Sequence, residues 1–287
     1  MNTTSSDVLV SICCTAYNLE KYISQTIESF LSQKTTFKYE IIVGEDCSKD
    51  STRQILLEYS EKYPDLIQVI MSEANVGIAR NYKRVLERAK GKYIAICDGD
   101  DYWVDPLKLQ KQVDFLENNS EYVICCHYSK LVDSEGKITY ANPSPKVLIY
   151  SYSDILTGKR TETRNSSLVI HNNEEFKTLT TKDWLLDVYA QDRFLKLFAT
   201  AVTNRKIYVM PELMGCYRVH QGGIWSMAGT KIIGFKTRSD FNLIINNFKF
   251  SSEEKRKLFN IYMKRYFFYD IKNLSINRIF STFQTLA

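Results

Sequence analysis

Short apolar runs rich in β-branched residues alternate with longer amphipathic segments through the first 130 residues, and this alternation restricts the fold more than any other feature. Residues 8–15 (Val-Leu-Val-Ser-Ile-Cys-Cys-Thr) read as a buried strand, and residues 20–33 place Tyr22, Ile23, Ile27, Phe30 and Leu31 at helical spacing. The unit then repeats. Residues 39–45 predict a second strand, 51–62 a helix with Ile55, Leu56 and Tyr59 on one face, and 67–71 a third strand. A helix from Ile78 to Lys90, with Gly91 as its C-terminal cap, leads into a strand over residues 92–97. Strands that are apolar throughout are covered on both faces, so the pattern predicts an α/β fold with a Rossmann-like, mainly parallel sheet flanked by helices.

Beyond Pro106 the sequence predicts a helix from Leu107 to Asn118 and an apolar stretch over 122–126. From 129 to 180 the pattern is irregular, with Pro143, Pro145, Gly136 and Gly158, and reads as a loop or small hairpin lying over the sheet. Residues 183–201 are helical in composition, 206–219 suggest one or two strands, and 251–280 return to helix.

Composition narrows the function classes. The chain has 287 residues, enough for one to two domains with a sizeable core. With 44% hydrophobic and 25% charged residues it is neither disordered nor of low complexity. A net charge of +5 without a single-sign basic block argues against a nucleic-acid partner. No apolar run approaches the roughly 18 residues needed to span a bilayer, and residues 1–7 carry no signal-peptide pattern. Seven cysteines lack metal-ligand spacing and mostly sit in apolar runs, so they are expected to be reduced core residues of a cytoplasmic protein.

In a doubly wound sheet, ligands bind beyond the carboxyl ends of the strands. Here those ends are polar: Thr15-Ala16-Tyr17-Asn18, Glu45-Asp46-Cys47-Ser48, Glu73-Ala74-Asn75 and Asp98-Gly99-Asp100-Asp101. Three carboxylates within four residues repel one another unless a cation or solvent neutralises them. Oxygen donors one residue apart suit a hard cation such as magnesium or manganese, which is commonly held by one or two carboxylates together with substrate phosphates. A solvated Asp/Gly turn is the competing reading.

Taken in order, these four segments, together with Ala79-Arg80-Asn81, Asp105-Pro106-Leu107 and Tyr217-Arg218-Val219-His220, resemble the signatures of the family-two glycosyltransferases with the GT-A fold. The resemblance spans residues 8 to about 225 and implies an inverting, metal-dependent transfer of a sugar from a nucleotide-diphosphate donor, UDP-linked by preference. The acceptor implied is a hydroxyl of a glycan or lipid-linked glycan, in surface polysaccharide or glycoconjugate synthesis. Carried over by position, Thr15 and Tyr17 would lie against the uridine, Asp46 would accept from the uracil ring, and Arg80 would neutralise the pyrophosphate or flank the base. Asp98 would reach the ribose, and Asp100 would hold the manganese or magnesium ion. Two positions depart from the family: Glu45 replaces its usual Asp and Cys47 its usual Gly.

The family places its catalytic base at the start of a helix preceding the Tyr-Arg-x-His segment. Asp192 fits best by its distance from Tyr217-Arg218, with Asp183 and Asp187 as competitors. His220 is expected to complete the metal or diphosphate site, or to be structural. Trp103 and Trp225 lie in sequence beside the proposed site, where sugar rings stack; Trp225 serves either to close over the donor or to anchor its loop. The organisation expected is a catalytic domain over 1–225, with a nucleotide-binding half (1–128) and an acceptor-side half (129–225), followed by a helical extension over 226–287. That extension combines Lys and Arg with many aromatic rings. It fits either a helix packed on the catalytic domain, the preferred reading, or peripheral contact with the inner face of a membrane. Two rival functions remain: a sugar-nucleotide nucleotidyltransferase, disfavoured by the lack of glycine in residues 15–20, and a non-catalytic glycan-binding protein, disfavoured by the intact acidic segment.

Overall fold

A computed structural model describes residues 8–223 and 229–286. Ten strands form one sheet, and its first part follows the predicted alternation: β1 (Val10–Ala16), α1 (Ile23–Leu31), β2 (Tyr39–Glu45), α2 (Thr52–Lys62), β3 (Ile67–Met71), α3 (Ile78–Leu86) and β4 (Tyr93–Ile96). The strand order β3-β2-β1-β4 is parallel throughout. Val10, Ile12, Ile41, Val43, Ile94 and Ile96 are all buried, as expected of strands covered on both faces. Each such side chain withdrawn from water contributes roughly 1.5–3 kcal/mol.

The second part of the sheet is mixed. It contains β5 (Tyr102–Trp103), α4 (Lys108–Asn118), β6 (Tyr122–Val132), β7 (Ile138–Tyr140), β8 (Leu148–Tyr150), α5 (Tyr152–Leu156), β9 (Val169–His171), α6 (Glu174–Lys177), α7 (Gln191–Thr203) and β10 (Lys206–Arg218). β6 runs parallel to β10, and β9 lies between β4 and β6, antiparallel to both. The 129–180 region does contain a small hairpin, where β7 folds back antiparallel on β6, but its strands join the sheet rather than lie over it. The three residues before Asn172, Val169, Ile170 and His171, supply the strand that joins the two parts, with Val169 and Ile170 fully buried.

Two other expectations change. α3 ends at Leu86 with Glu87 as its cap, so Gly91 is not the capping residue. A Cβ at Gly91 would come within 2.6 Å of the Ser11 amide nitrogen, so the close approach of β1 is what requires glycine there. Residues 183–201 are not one helix: Asp183–Asp187 form a 3-10 turn, and α7 starts only at Gln191. Between them Asp240 accepts hydrogen bonds from the amides of Tyr189 (2.9 Å) and Ala190 (2.9 Å), fixing an extended entry into α7.

Asp240 belongs to the C-terminal helices: α8 (Thr230–Asn247), α9 (Ser252–Arg265), α10 (Phe267–Lys272) and α11 (Ile276–Leu286). α9 begins with a capping box formed by Ser251 and Glu254. The four helices meet on Arg238, which is fully buried. Its guanidinium donates to both carboxylate oxygens of Asp270 (2.8–3.1 Å), to Asn242 Oδ1 (2.7 Å) and to Thr282 Oγ1 (3.0 Å), while the Tyr262 hydroxyl donates to Asp270 (3.1 Å). Phe241, Ile244, Phe248, Leu258 and Tyr262 share one apolar core with Phe194, Phe198 and Ile207 of the sheet layer. Trp184 and Phe194 each pack on Phe248, with ring centroids 5.6 and 6.0 Å apart. The preferred reading of the extension, helices packed on the catalytic part, therefore describes α8 and α9.

Candidate active site

The sheet register brings the first and fourth strand ends together. Cys13 pairs with Ile96, so two residues farther on Thr15 faces Asp98. The Thr15 hydroxyl donates to Asp98 Oδ1 (3.2 Å), and the Gly99 amide donates to the Thr15 carbonyl (3.0 Å). Asn165 Nδ2 donates to the other oxygen, Asp98 Oδ2 (2.6 Å), and is oriented by the Tyr82 hydroxyl (3.0 Å). Burial, then the neighbouring Asp100, push the Asp98 carboxyl up to about 7. The Thr26 hydroxyl ties down the turn by donating to the carbonyls of Gly99 (2.9 Å) and Asp101 (2.7 Å).

The end of β10 closes over this turn. His220 Nε2 lies 3.0 Å from Asp100 Oδ2, and the ring of Tyr22 rests against the imidazole with centroids 4.8 Å apart. Arg218 donates through Nε to the Asp100 carbonyl (3.0 Å) and through its amide to Asp101 Oδ1 (2.9 Å). Its guanidinium sits over the Tyr22 ring at 4.6 Å. Asp101 is buried, and burial together with Asp100 holds its carboxyl well above the ordinary range.

Asp100 and His220 thus stand together as oxygen and nitrogen donors, a pair that fits a divalent cation whose remaining positions are filled by diphosphate and water. No group of three or more acidic, histidine or cysteine side chains that could hold a metal ion occurs among the described residues.

The nucleotide side is built from β1, β2 and the start of α3. Tyr17 is exposed at the strand end. Asp46 is buried, and its two oxygens accept the amides of Val76 (2.7 Å) and Gly77 (2.9 Å), so it shapes the turn into α3. Each oxygen retains acceptor capacity for a ligand. Gly77 stands at φ 85°, which explains glycine immediately before the helix. Arg80 is exposed in the first turn of α3, with no ion pair among the described residues.

The two departures from the family pattern have structural accounts. Glu45 is fully buried and paired with Arg53 (2.6 Å) while accepting the Ser48 amide (2.6 Å). Cys47 occupies the left-handed region at φ 58°, where glycine is the easier residue, and its thiol donates to the Glu73 carbonyl. All seven cysteines are free, and six are buried.

Asp192 lies in the first turn of α7 and is 28% exposed. Lys196, fully buried one turn later, donates to Asp192 Oδ2 (2.7 Å) and to the carbonyl and hydroxyl of Thr163 (2.7 and 3.0 Å). Burial alone would raise the Asp192 carboxyl, but Lys196 and then Arg160 outweigh it and hold it below the usual range. The Asp192 charge also acts on Asp98 and Tyr82, so both aspartates belong to one electrostatic neighbourhood. Asp183, on the 3-10 turn, is exposed and does not enter this network; Asp187 is likewise exposed. Trp103 is a correction: it is buried, its Nε1 donates to the Ser166 carbonyl (2.8 Å), and its ring packs on Phe30, so no sugar reaches it. Trp225 lies outside the described residues.

Asn165, Tyr82, Lys196 and Arg160 escaped sequence reasoning because their roles depend on β9 entering the sheet. Only the Asp192/Lys196 spacing of four residues signalled a helical ion pair.

The Glycosyl transferase family 2 pattern matches residues 11–174, which carry Thr15, Asp46, Asp98, Asp100 and Asn165. The chain belongs to glycosyl transferase family 2. An uncharacterized protein of Mycobacterium bovis is 34% identical over 221 residues, covering 77% of this chain and 62% of that protein. This chain therefore spans less than two thirds of that relative. The putative teichuronic acid biosynthesis glycosyltransferase TuaG of Bacillus subtilis is 37% identical over 142 residues, half of this chain and 55% of TuaG. Among solved structures, the UDP complex of TarS residues 1–349 from Staphylococcus aureus has a TM-score of 0.60 at 20% identity, covering 88% of this chain and 70% of that one. The mannosyltransferase PcManGT of Pyrobaculum calidifontis, solved with GDP-mannose and Mn2+, scores 0.62 at 16% identity over 87% and 67%. These likenesses establish a GT-A fold for this family-2 member. No described helix is long and apolar enough to cross a membrane.

Proposed function

We propose that this protein is an inverting glycosyltransferase that moves a sugar from a UDP-linked donor to a hydroxyl of a glycan or lipid-linked glycan. Two carboxylates of one electrostatic neighbourhood carry the reading: Asp98, tied to Thr15 and Asn165 beyond β4 and raised to about 7, and Asp192 in the first turn of α7, held below the usual range by Lys196. Environments that push two acids apart assign their roles. Asp192 is ready to take a proton at neutral pH, whereas Asp98 serves as a hydrogen-bonding group for the donor. UDP is preferred because TarS was solved with UDP and UDP-GlcNAc, and because the Escherichia coli relative WfaP is a UDP-glucose enzyme acting on a diphosphoundecaprenol-linked sugar.

Tyr17 and Thr15 line the base and ribose side, and Arg80 meets the diphosphate. Asp100 and His220 would hold a divalent cation, which when bound neutralises the departing diphosphate. Asp192 accepts the proton of the acceptor hydroxyl as that oxygen forms its bond to the anomeric carbon on the face opposite the leaving group. The bond from that carbon to the diphosphate oxygen breaks with its electron pair, and UDP departs. Lys196 and Thr163 keep the Asp192 carboxylate oriented throughout.

Asp192→Asn tests the reading. Transfer from a UDP-sugar is expected to fall by roughly 10²–10⁴-fold, while donor-induced thermal stabilisation stays unchanged. Loss of transfer in Asp183→Asn but not in Asp192→Asn would overturn the assignment.

A further inference from the structure

The C-terminal helices have an outward surface that their internal packing leaves unexplained. Phe268, Leu274, Ile276 and Phe280 are 74%, 83%, 59% and 65% exposed. Phe268 and Ile271 stand three apart on α10, and Ile276 and Phe280 four apart on α11, so each pair shares one helix face. Leu274, in the turn between the two helices, adopts φ 51°. Glycine or asparagine is the usual occupant of that left-handed conformation, and a leucine there is penalised. Its side chain gains little burial in return, so folding supplies no reason for it. Phe235 of α8 joins Tyr269, Leu274, Ile276 and Arg278 around an open groove of about 680 Å³.

The exposed charge along this segment has one sign. From residue 264 to 286 the exposed charged groups are Lys264, Arg265, Lys272 and Arg278, and the sole carboxylate, Asp270, is buried against Arg238. A second copy docking face to face would oppose four cations to four cations. Protruding apolar side chains on a segment whose exposed charges are all Lys and Arg match the surface of an anionic bilayer, where rings and aliphatic chains enter the headgroup boundary and cations meet lipid phosphates.

We propose that α10, the Leu274 turn and α11 form a docking face for an anionic membrane surface. The proposal is independent of the reaction chemistry. It gives the protein access to acceptors carried in a bilayer while the donor site stays in water.

Flotation of the full chain with vesicles of phosphatidylcholine, alone or mixed with phosphatidylglycerol, tests it. The protein is expected to float with the mixed vesicles at low salt and to be released at high salt, and not to float with phosphatidylcholine alone. Leu274→Asn combined with Phe280→Ser, and separately Lys272→Gln combined with Arg278→Gln, are each expected to weaken flotation roughly tenfold or more. Leu274→Asn alone should keep or raise the melting temperature, because asparagine suits φ 51°, so lost binding is not lost folding. Donor-induced thermal stabilisation should be the same in every variant, which separates failure of this proposal from failure of the glycosyltransferase reading. No flotation with mixed vesicles, undiminished flotation of both double variants, or a dimer in sedimentation that only these variants abolish would overturn it.

Discussion

The turn after β4 and the junction of the C-terminal helices both gather charge away from water, and they do so in opposite ways. Around Arg238 the account is closed: its guanidinium meets Asp270, Asn242 and Thr282, and the Tyr262 hydroxyl completes the carboxylate. Around Asp98, Asp100 and Asp101 it is open, because burial and the neighbouring Asp100 raise the carboxyls of Asp98 and Asp101, while the Arg218 guanidinium binds carbonyls, the amide oxygen of Gln25 and aromatic faces. A closed cluster specifies how helices meet. An open one is short of positive charge, which is the condition a cation with a diphosphate relieves.

The largest effect should come from Asp100→Asn, which removes the charged partner of His220. Transfer is expected to fall on the order of 10³-fold, and the extra thermal stabilisation by donor with manganese should vanish; full activity would erase the contrast between the two clusters. Arg238→Met leaves Asp270 buried without its cation and should cost about 3–5 kcal/mol in urea unfolding. Adding Asp270→Leu should recover much of that loss, and additive losses would mean the pair is not coupled.

A finer test concerns Lys108, fully buried near Cys97, Cys125 and Cys126, with its Nζ 3.9 Å from the centre of the Trp103 ring. Burial pushes this lysine down to about 7. Between that value and about 10.4, the ordinary lysine value, the unfolded chain binds the proton that the folded chain has released, so stability contributed at this site rises with pH. Wild type should therefore gain on Lys108→Met as pH increases from 7 towards 10, as read from urea midpoints; a pH-independent difference would refute it. The smallest effect is expected for Cys47→Gly, which relieves φ 58° but loses the thiol bond to Glu73, changing stability by no more than about 1 kcal/mol.

Legibility in the sequence followed the physics of each part. The parallel half of the sheet was readable because apolar strands and amphipathic helices have distinct periods, and the polar strand ends then fell where parallel sheets bind ligands. Thr15, Asp98, Asp100 and His220 meet as their positions implied, although Asp46 also shapes its own turn. β9 was unreadable because a strand of three residues, Val169, Ile170 and His171, lies below the length at which periodicity carries information. With β9 hidden, so was Asn165, and hence what holds Asp98. Trp103 misled because a position next to an acidic turn says nothing about which way a strand residue points; β5 turns it inward. The aromatic and basic C-terminus read as two alternatives because it holds both, buried rings in α8 and α9 and exposed ones in α10 and α11.

Asp240 carries one more consequence. It sits on α8, yet its carboxylate grips the amides just ahead of α7, the helix that presents Asp192. A cut placed at the start of the C-terminal helices would follow the sequence boundary but sever a mechanical brace, freeing the entry to α7 and the aim of its aspartate. Trimming this chain to a minimal catalytic unit would therefore remove part of the catalyst's frame, and any attempt to shorten it should keep α8 and the lock between Arg238 and Asp270.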